Sequence, residues 1–129
     1  SLGDGRLAIA DPQSVPAGRY ARASLERMGL WAEVESQIVP AENVRAALAL
    51  VEAGEARLGI VYATDASASQ RVRLVAQFAP EVTPAITYPA AQLVQSRHSQ
   101  AQDFLAFLSS RQAQEIFAAH GFLPPDRAP

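Results

Sequence analysis

Residues 6–20, R-L-A-I-A-D-P-Q-S-V-P-A-G-R-Y, constrain this chain more than any other stretch. Leu7, Ala8, Ile9 and Ala10 form an unbroken apolar run, the pattern of a strand covered on both faces. Asp11-Pro12 ends it, because proline restricts the residue before it and has no N–H to give a ladder. Pro16 stands where a helix begins. Ala17, Gly18 and Arg19 then follow with first-turn N–H groups that lack an intrahelical acceptor. A buried strand running into an open helix start makes a concave site suited to an anion.

Strand-then-helix order continues to about residue 69, without an internal sequence repeat. After Pro16, Tyr20, Ala21, Leu25 and Met28 recur at helical spacing and Gly29 is placed to stop the helix. Leu30 and Trp31 fold back on its end, Trp31 as a packed aromatic rather than a ligand-stacking ring. Residues 32–37 read as a short helical or irregular link. Ile38-Val39-Pro40 is extended, and Asn43 caps a second helix that buries Val44, Ala47, Leu48 and Val51 and closes at Gly54. Residues 58–62, L-G-I-V-Y, read as a third apolar strand of central character, after which Thr64 or Asp65 caps a short helix to about Ser69.

Beyond that point the pattern changes. Alternation over residues 71–78 predicts an edge strand, and residues 86–94 predict a bent or edge strand interrupted by Pro89. A final helical region starts at His98 or Ser99, turning Phe104, Leu105, Phe107 and Leu108 inward. It restarts at Ser109-Ser110, continues through Ala113, Ile116 and Phe117, and ends at His120-Gly121-Phe122. The order is β-α-β-α-β-(α)-β-β-α-α, an α/β class with a mostly parallel sheet flanked by helices, followed by a C-terminal helical segment. Right-handed crossovers bring residues 11–18, 40–44 and 62–65 to one sheet edge.

Composition removes several function classes. The chain has 129 residues and no cysteine, so disulfides, thiol catalysis and Cys-ligated zinc are excluded. Its formal net charge of −2, with scattered arginines and no lysine, gives no electrostatic case for nucleic acid. No apolar run approaches a membrane span. The chain opens at Ser1 without a methionine or a signal peptide, which leaves export undecided.

Catalysis also lacks a constellation. The acids near the converging loops are Asp11, Glu42 and Asp65, and the hydroxyls are Ser14 and Thr64, but His98 and His120 lie far along the chain. There is no G-x-S-x-G elbow, no paired-histidine metal spacing, no G-x-x-x-x-G-K and no G-x-G-x-x-G. Binding without catalysis fits better. Open amides with the Tyr62 hydroxyl suit a small multivalent anion, each charged hydrogen bond contributing roughly 1.5–3 kcal/mol. A lining made only of donors favours a fully deprotonated tetrahedral ion over a protonated one.

Four ordered segments carry a resemblance: D-P-Q-S-V-P-A-G-R-Y-A (11–21), P-A-E-N-V-R-A-A-L-A-L-V-E (40–52), G-I-V-Y-A-T-D-A (59–66) and Y-P-A-A (88–91). Together with I-F-A-A-H-G-F (116–122), they resemble the molybdate-binding proteins of bacterial ABC uptake systems, two-lobed periplasmic binding proteins. The resemblance implies a non-enzymatic, periplasmic binding protein for molybdate or tungstate, with no cofactor. It also implies discrimination against sulfate and delivery of the ion to a membrane permease. Carried over by position, the ligand donors are the main-chain N–H groups of Ala17 and Val44 and the phenol of Tyr62.

The resemblance further implies that the first lobe, with two serine ligands, is not in this chain, which therefore holds half a site. Residues 1–83 correspond to the second lobe, 84–122 to the crossover strand and helices that complete the first lobe, and 123–129 to a loose tail. Phe104, Leu105, Phe107, Ile116 and Phe117 then lack their usual sheet. They are expected to repack on the α/β block, to drive self-association, or to be labile. The alternatives are a binding protein for sulfate or phosphate, an effector-sensing domain of a transcription regulator, and a module that only makes protein contacts.

Overall fold

The computed structural model describes residues 2–125. Its first layer is the apolar run at the start of the chain: β1 (Leu7–Ala10) is buried at every position. It pairs in parallel with β2 (Ile38–Ala41) on one side and β3 (Leu58–Ile60) on the other, giving the order β2-β1-β3. Successive side chains of a strand point to opposite faces. Leu7 and Ile9 accordingly pack with Ala21 and Leu25 of α1 (Pro16–Arg27), with Leu30, Trp31, Val34, Ile38, Leu58, Ile60 and Phe78 around them. Ala8 faces the other way, into a cluster with Ala41, Ala56 and Ala47 of α3 (Val44–Glu52). One helix thus covers each face of the central strand, as the unbroken apolar run requires.

Local chemistry sets the helix ends. Pro16 is the first residue of α1, and Gly29 ends it at φ +71°, where the Gly29 and Leu30 amides donate to the carbonyls of Glu26 and Leu25 at 3.0 and 2.9 Å. Glycine takes this left-handed conformation without the strain a Cβ would cause. The chain then folds back through α2 (Trp31–Val34) and a 3-10 turn (Glu35–Gln37). Trp31 packs against the core beneath the Arg22 guanidinium, 4.9 Å from the ring centre, so it is a structural aromatic. Met28 departs from its expected inward face: it lies just past the last turn and is exposed.

The third strand is a correction. β3 is three residues long, half-buried and at the sheet edge, not central. Residues 71–78 and 86–94, both expected as strands, form none. Alternation makes a strand only where a ladder partner is present, and neither segment has one among the described residues. The first is held instead by Arg71, whose guanidinium donates to the Glu52 carbonyl at 3.0 Å, and by Phe78 in the core. Leu74 and Val75 between them are exposed.

The chain divides into two compact units, the first ending at Ala85 and the second starting at Ile86. The second contains α5 (Ala101–Leu108) and α6 (Arg111–Ala119). Ser110 caps α6 by accepting from the Ala113 amide at 3.2 Å, and Gln114 donates back to the Leu108 carbonyl at 2.8 Å. Tyr88 and Phe117 each meet the Phe122 ring edge-on. α5 starts later than expected, at Ala101. The inward packing expected of its aromatics is also corrected: Phe104 and Phe107 are exposed, as are Ile116 and Phe117 of α6. Two short helices bury only the stripe they share, and an apolar face needs a further layer to leave water. Of the tail expected to be loose, residues 126–129 lie outside the described residues.

Candidate functional site

Because the sheet is parallel, all three strands end at one edge, and a helix starts after each: α1 after β1, α3 after β2, and α4 (Ala63–Ala68) after β3. The strand order places β2 and β3 on opposite sides of β1, so the connection from β1 to β2 runs one way along the sheet and the connection from β2 to β3 runs back past β1. In open α/β sheets that reversal at the carboxyl edge is where ligands bind.

Ala17, Val44 and Tyr62 each fall at this edge. Ala17 is the second residue of α1 and is buried. The first main-chain bond into that helix is from the Arg19 amide to the Val15 carbonyl at 3.0 Å, so the Ala17 and Gly18 amides precede it. Val44 is the first residue of α3. There Asn43 Oδ1 accepts from the Ala46 amide at 2.9 Å and the Asn43 carbonyl from the Ala47 amide at 3.1 Å, leaving the Val44 and Arg45 amides at the open end. Tyr62 is the N-cap of α4, and its carbonyl accepts from the Asp65 and Ala66 amides. Thr64 and Asp65, expected as caps, lie inside that helix, because the chain turns helical directly after Tyr62.

The Asn43 cap contributes separately from any ligand. Asn43→Ala is expected to destabilise the fold by about 1 kcal/mol. In a thermal melt that is a drop of about 4–8 °C in Tm, and an unchanged melt would show the cap to be idle.

The loop before α1 is organised by Asp11, a role missed in the sequence. Its carboxylate accepts from the Gln13 amide at 2.9 Å and from the Ser14 hydroxyl, its carbonyl from the Val15 amide at 2.9 Å, and its own amide donates to Ala41 of β2 at 2.8 Å. Arg19 closes the loop by donating to the Gln13 carbonyl at 3.0 Å. The Ser14 hydroxyl, then the Gln13 amide, hold the Asp11 carboxyl below the usual carboxylate range, with Arg19 adding a smaller pull. The signal was available: an aspartate followed by proline and a serine three residues on is an Asx-turn pattern.

Other features of the described residues carry no comparable chemistry. No group of three or more acidic or histidine side chains is placed to hold a metal ion. No helix is long and apolar enough to cross a membrane. An open depression of about 580 Å³ between Asp4, Arg6, Val51, Glu55 and Arg57 lies at the opposite end of the sheet, beside the strand starts. Its walls mix charges of both signs.

A three-stranded parallel sheet with helix starts gathered at its carboxyl edge is a lobe of the periplasmic-binding-protein type. The chain belongs to the bacterial extracellular solute-binding protein family, whose model matches residues 2–123. It is 45% identical over 121 residues to the molybdate-binding protein ModA of Escherichia coli, and 39% identical over 122 residues to that of Haemophilus influenzae. These alignments cover 94% and 95% of this chain but 47% and 48% of the relatives, so the chain spans about half their length. A solved substrate-binding domain assigned to a molybdenum ABC transporter of Clostridium difficile superposes with a TM-score of 0.79 at 30% identity. It covers 95% of this chain and 54% of that one.

Proposed function

We propose that this chain carries one lobe's share of a molybdate and tungstate site in the periplasmic binding component of an ABC transporter. The donors are the amides of Ala17 and Val44 and the phenol of Tyr62. In this reading the protein is not an enzyme: it holds the oxyanion through neutral donors, and the intact protein hands it to a membrane permease. Two open first turns at one carboxyl edge, in a chain whose relatives are molybdate-binding proteins, carry the proposal.

The chemistry follows from the donors. Main-chain amides at helix starts combine hydrogen bonding with the positive end of the helix dipole, so a dianion is held without a counter-charge. Amides and phenols at this edge offer protons, which favours an ion with no O–H of its own. Selection among dianions then falls to size, since the separation of the two helix starts is fixed by the sheet.

Titration calorimetry tests the reading. Sodium molybdate and sodium tungstate are expected to compete for one site, and sodium sulfate to displace neither at equal concentration. The lone lobe is expected to bind molybdate about 10²–10⁴-fold more weakly than a full-length relative, the equivalent of two missing charged hydrogen bonds. Tighter binding of sulfate or phosphate, or no heat with molybdate, would overturn it.

A further inference from the structure

We propose that Gly18 is a positioning residue of this site and that, with the Asp11 carboxylate, it sets where the α1 amides stand relative to those of α3. The inference rests on the oxyanion reading above and identifies what gives that site its dimensions. Gly18 is the third residue of α1 and is buried against the end of β1. A Cβ placed on it would lie 2.1 Å from the Ala10 carbonyl oxygen and 2.5 Å from that of Asp11. Both atoms are main chain, so no rotamer change relieves the overlap. The helix start must retreat from the strand end, and the neighbouring Ala17 amide retreats with it.

The same strand end fixes the other helix. The Asp11 amide holds the Ala41 carbonyl of β2, three residues before Val44, while the Asp11 carbonyl and carboxylate hold Val15, Gln13 and Ser14 ahead of α1. Asp11 thus joins both helix starts to one point, and the bare Cα of Gly18 lets α1 reach it. The left-handed glycines that end helices act differently. Gly18 is an αR residue whose missing side chain is what matters.

The experiment is calorimetry with sodium molybdate, together with amide NMR of the free and titrated chain, on the parent, Gly18→Ala, Asp11→Asn and Asp11→Ala. Gly18→Ala is expected to raise Kd roughly 10- to 100-fold, the loss of one charged hydrogen bond, with stoichiometry unchanged and the free Ala17 amide resonance displaced. Gly5→Ala serves as the structural control. Its Cβ would lie 2.8 Å from the Arg57 side chain and 2.9 Å from the Leu2 carbonyl, at the opposite sheet edge. It should lower Tm and leave Kd alone.

Asp11→Asn and Asp11→Ala both remove the charge, but only asparagine keeps an acceptor for the Gln13 amide. Asp11→Asn should therefore bind more tightly than Asp11→Ala. Equal affinity of that pair, or a Gly18→Ala chain that loses stoichiometry at unchanged Kd, overturns the positioning role while the oxyanion reading stands. If Gly18→Ala does not fold, the aspartate pair decides. A parent chain whose Ala17 and Val44 amides ignore molybdate removes the oxyanion reading and this inference together.

Discussion

Replacing Ile9 with alanine is expected to destabilise the first unit by about 2–5 kcal/mol. The reason lies in what fills the core. Among the described residues the buried apolar side chains are alanines apart from Leu7, Ile9 and Leu25, and Ile9 is fully enclosed at 0% exposure. It stands mid-strand in β1, paired to Pro40 of β2 and Ile60 of β3, and packed under α1. Alanine there leaves a void that a rigid central strand cannot close. Small domains have about 5–15 kcal/mol in total, so the loss takes a large share. Chemical denaturation should show a sharply lower midpoint with an unchanged slope. The control, Leu74→Ala at a 56% exposed position, should move it little. Similar midpoints for both variants would mean that the packing around β1 does not hold this unit.

Val44→Pro separates the site from the scaffold. Val44 is the first residue of α3, where proline is favoured and its missing N–H costs the helix nothing. The residue before it, Asn43, already has φ −159° and ψ 173°, an extended conformation that a following proline accepts. Its side chain can go on capping the Ala46 amide. The substitution therefore deletes one proposed ligand donor and little else. Molybdate affinity is expected to fall roughly 10- to 100-fold with Tm close to the parent's. An unaltered Kd would remove Val44 from the donor set. A collapse in Tm would mean that the helix start depends on more than its cap.

Comparing Val44→Pro with Asn43→Ala sharpens both. The first should cost binding and spare stability. The second should cost stability, because the asparagine oxygen serves the helix and not the ligand. Adjacent residues at one helix start are thus expected to fail in opposite ways.

Asp11 adds a pH dependence of known sign. Its carboxyl is held below the usual carboxylate range when folded, chiefly by the Ser14 hydroxyl and the Gln13 amide. The stabilisation is therefore present above the ordinary carboxylate value and is lost as pH falls through the lower folded value. At neutral pH the Asp11 carboxylate is charged and the turn before α1 is fastened.

Much of this was legible because it is local. Pro16 starting α1, Gly29 ending it, Asn43 capping α3 and Ser110 restarting the last helix each act within four residues, and each stands where the sequence put it. The family was legible from four motifs whose order and spacing were preserved. Gly18 was not: as a letter it marked an open helix start, whereas its contacts are with the carbonyls of Ala10 and Asp11 on another element. The alternation of residues 71–78 and the apolar run of 86–94 misled for the reverse reason. Each has a strand's side-chain pattern without a strand's partner among the described residues.

By itself, then, the sequence determined the succession of buried strand and open helix, because proline geometry, caps and apolar periodicity are properties of short segments. Tertiary structure alone decided that β3 is an edge, that Phe104 and Phe107 face outward, and that α1 is seated on the end of β1 through Gly18. Strand pairing, burial and close backbone approach depend on residues distant in the chain, and no local pattern specifies what will lie alongside.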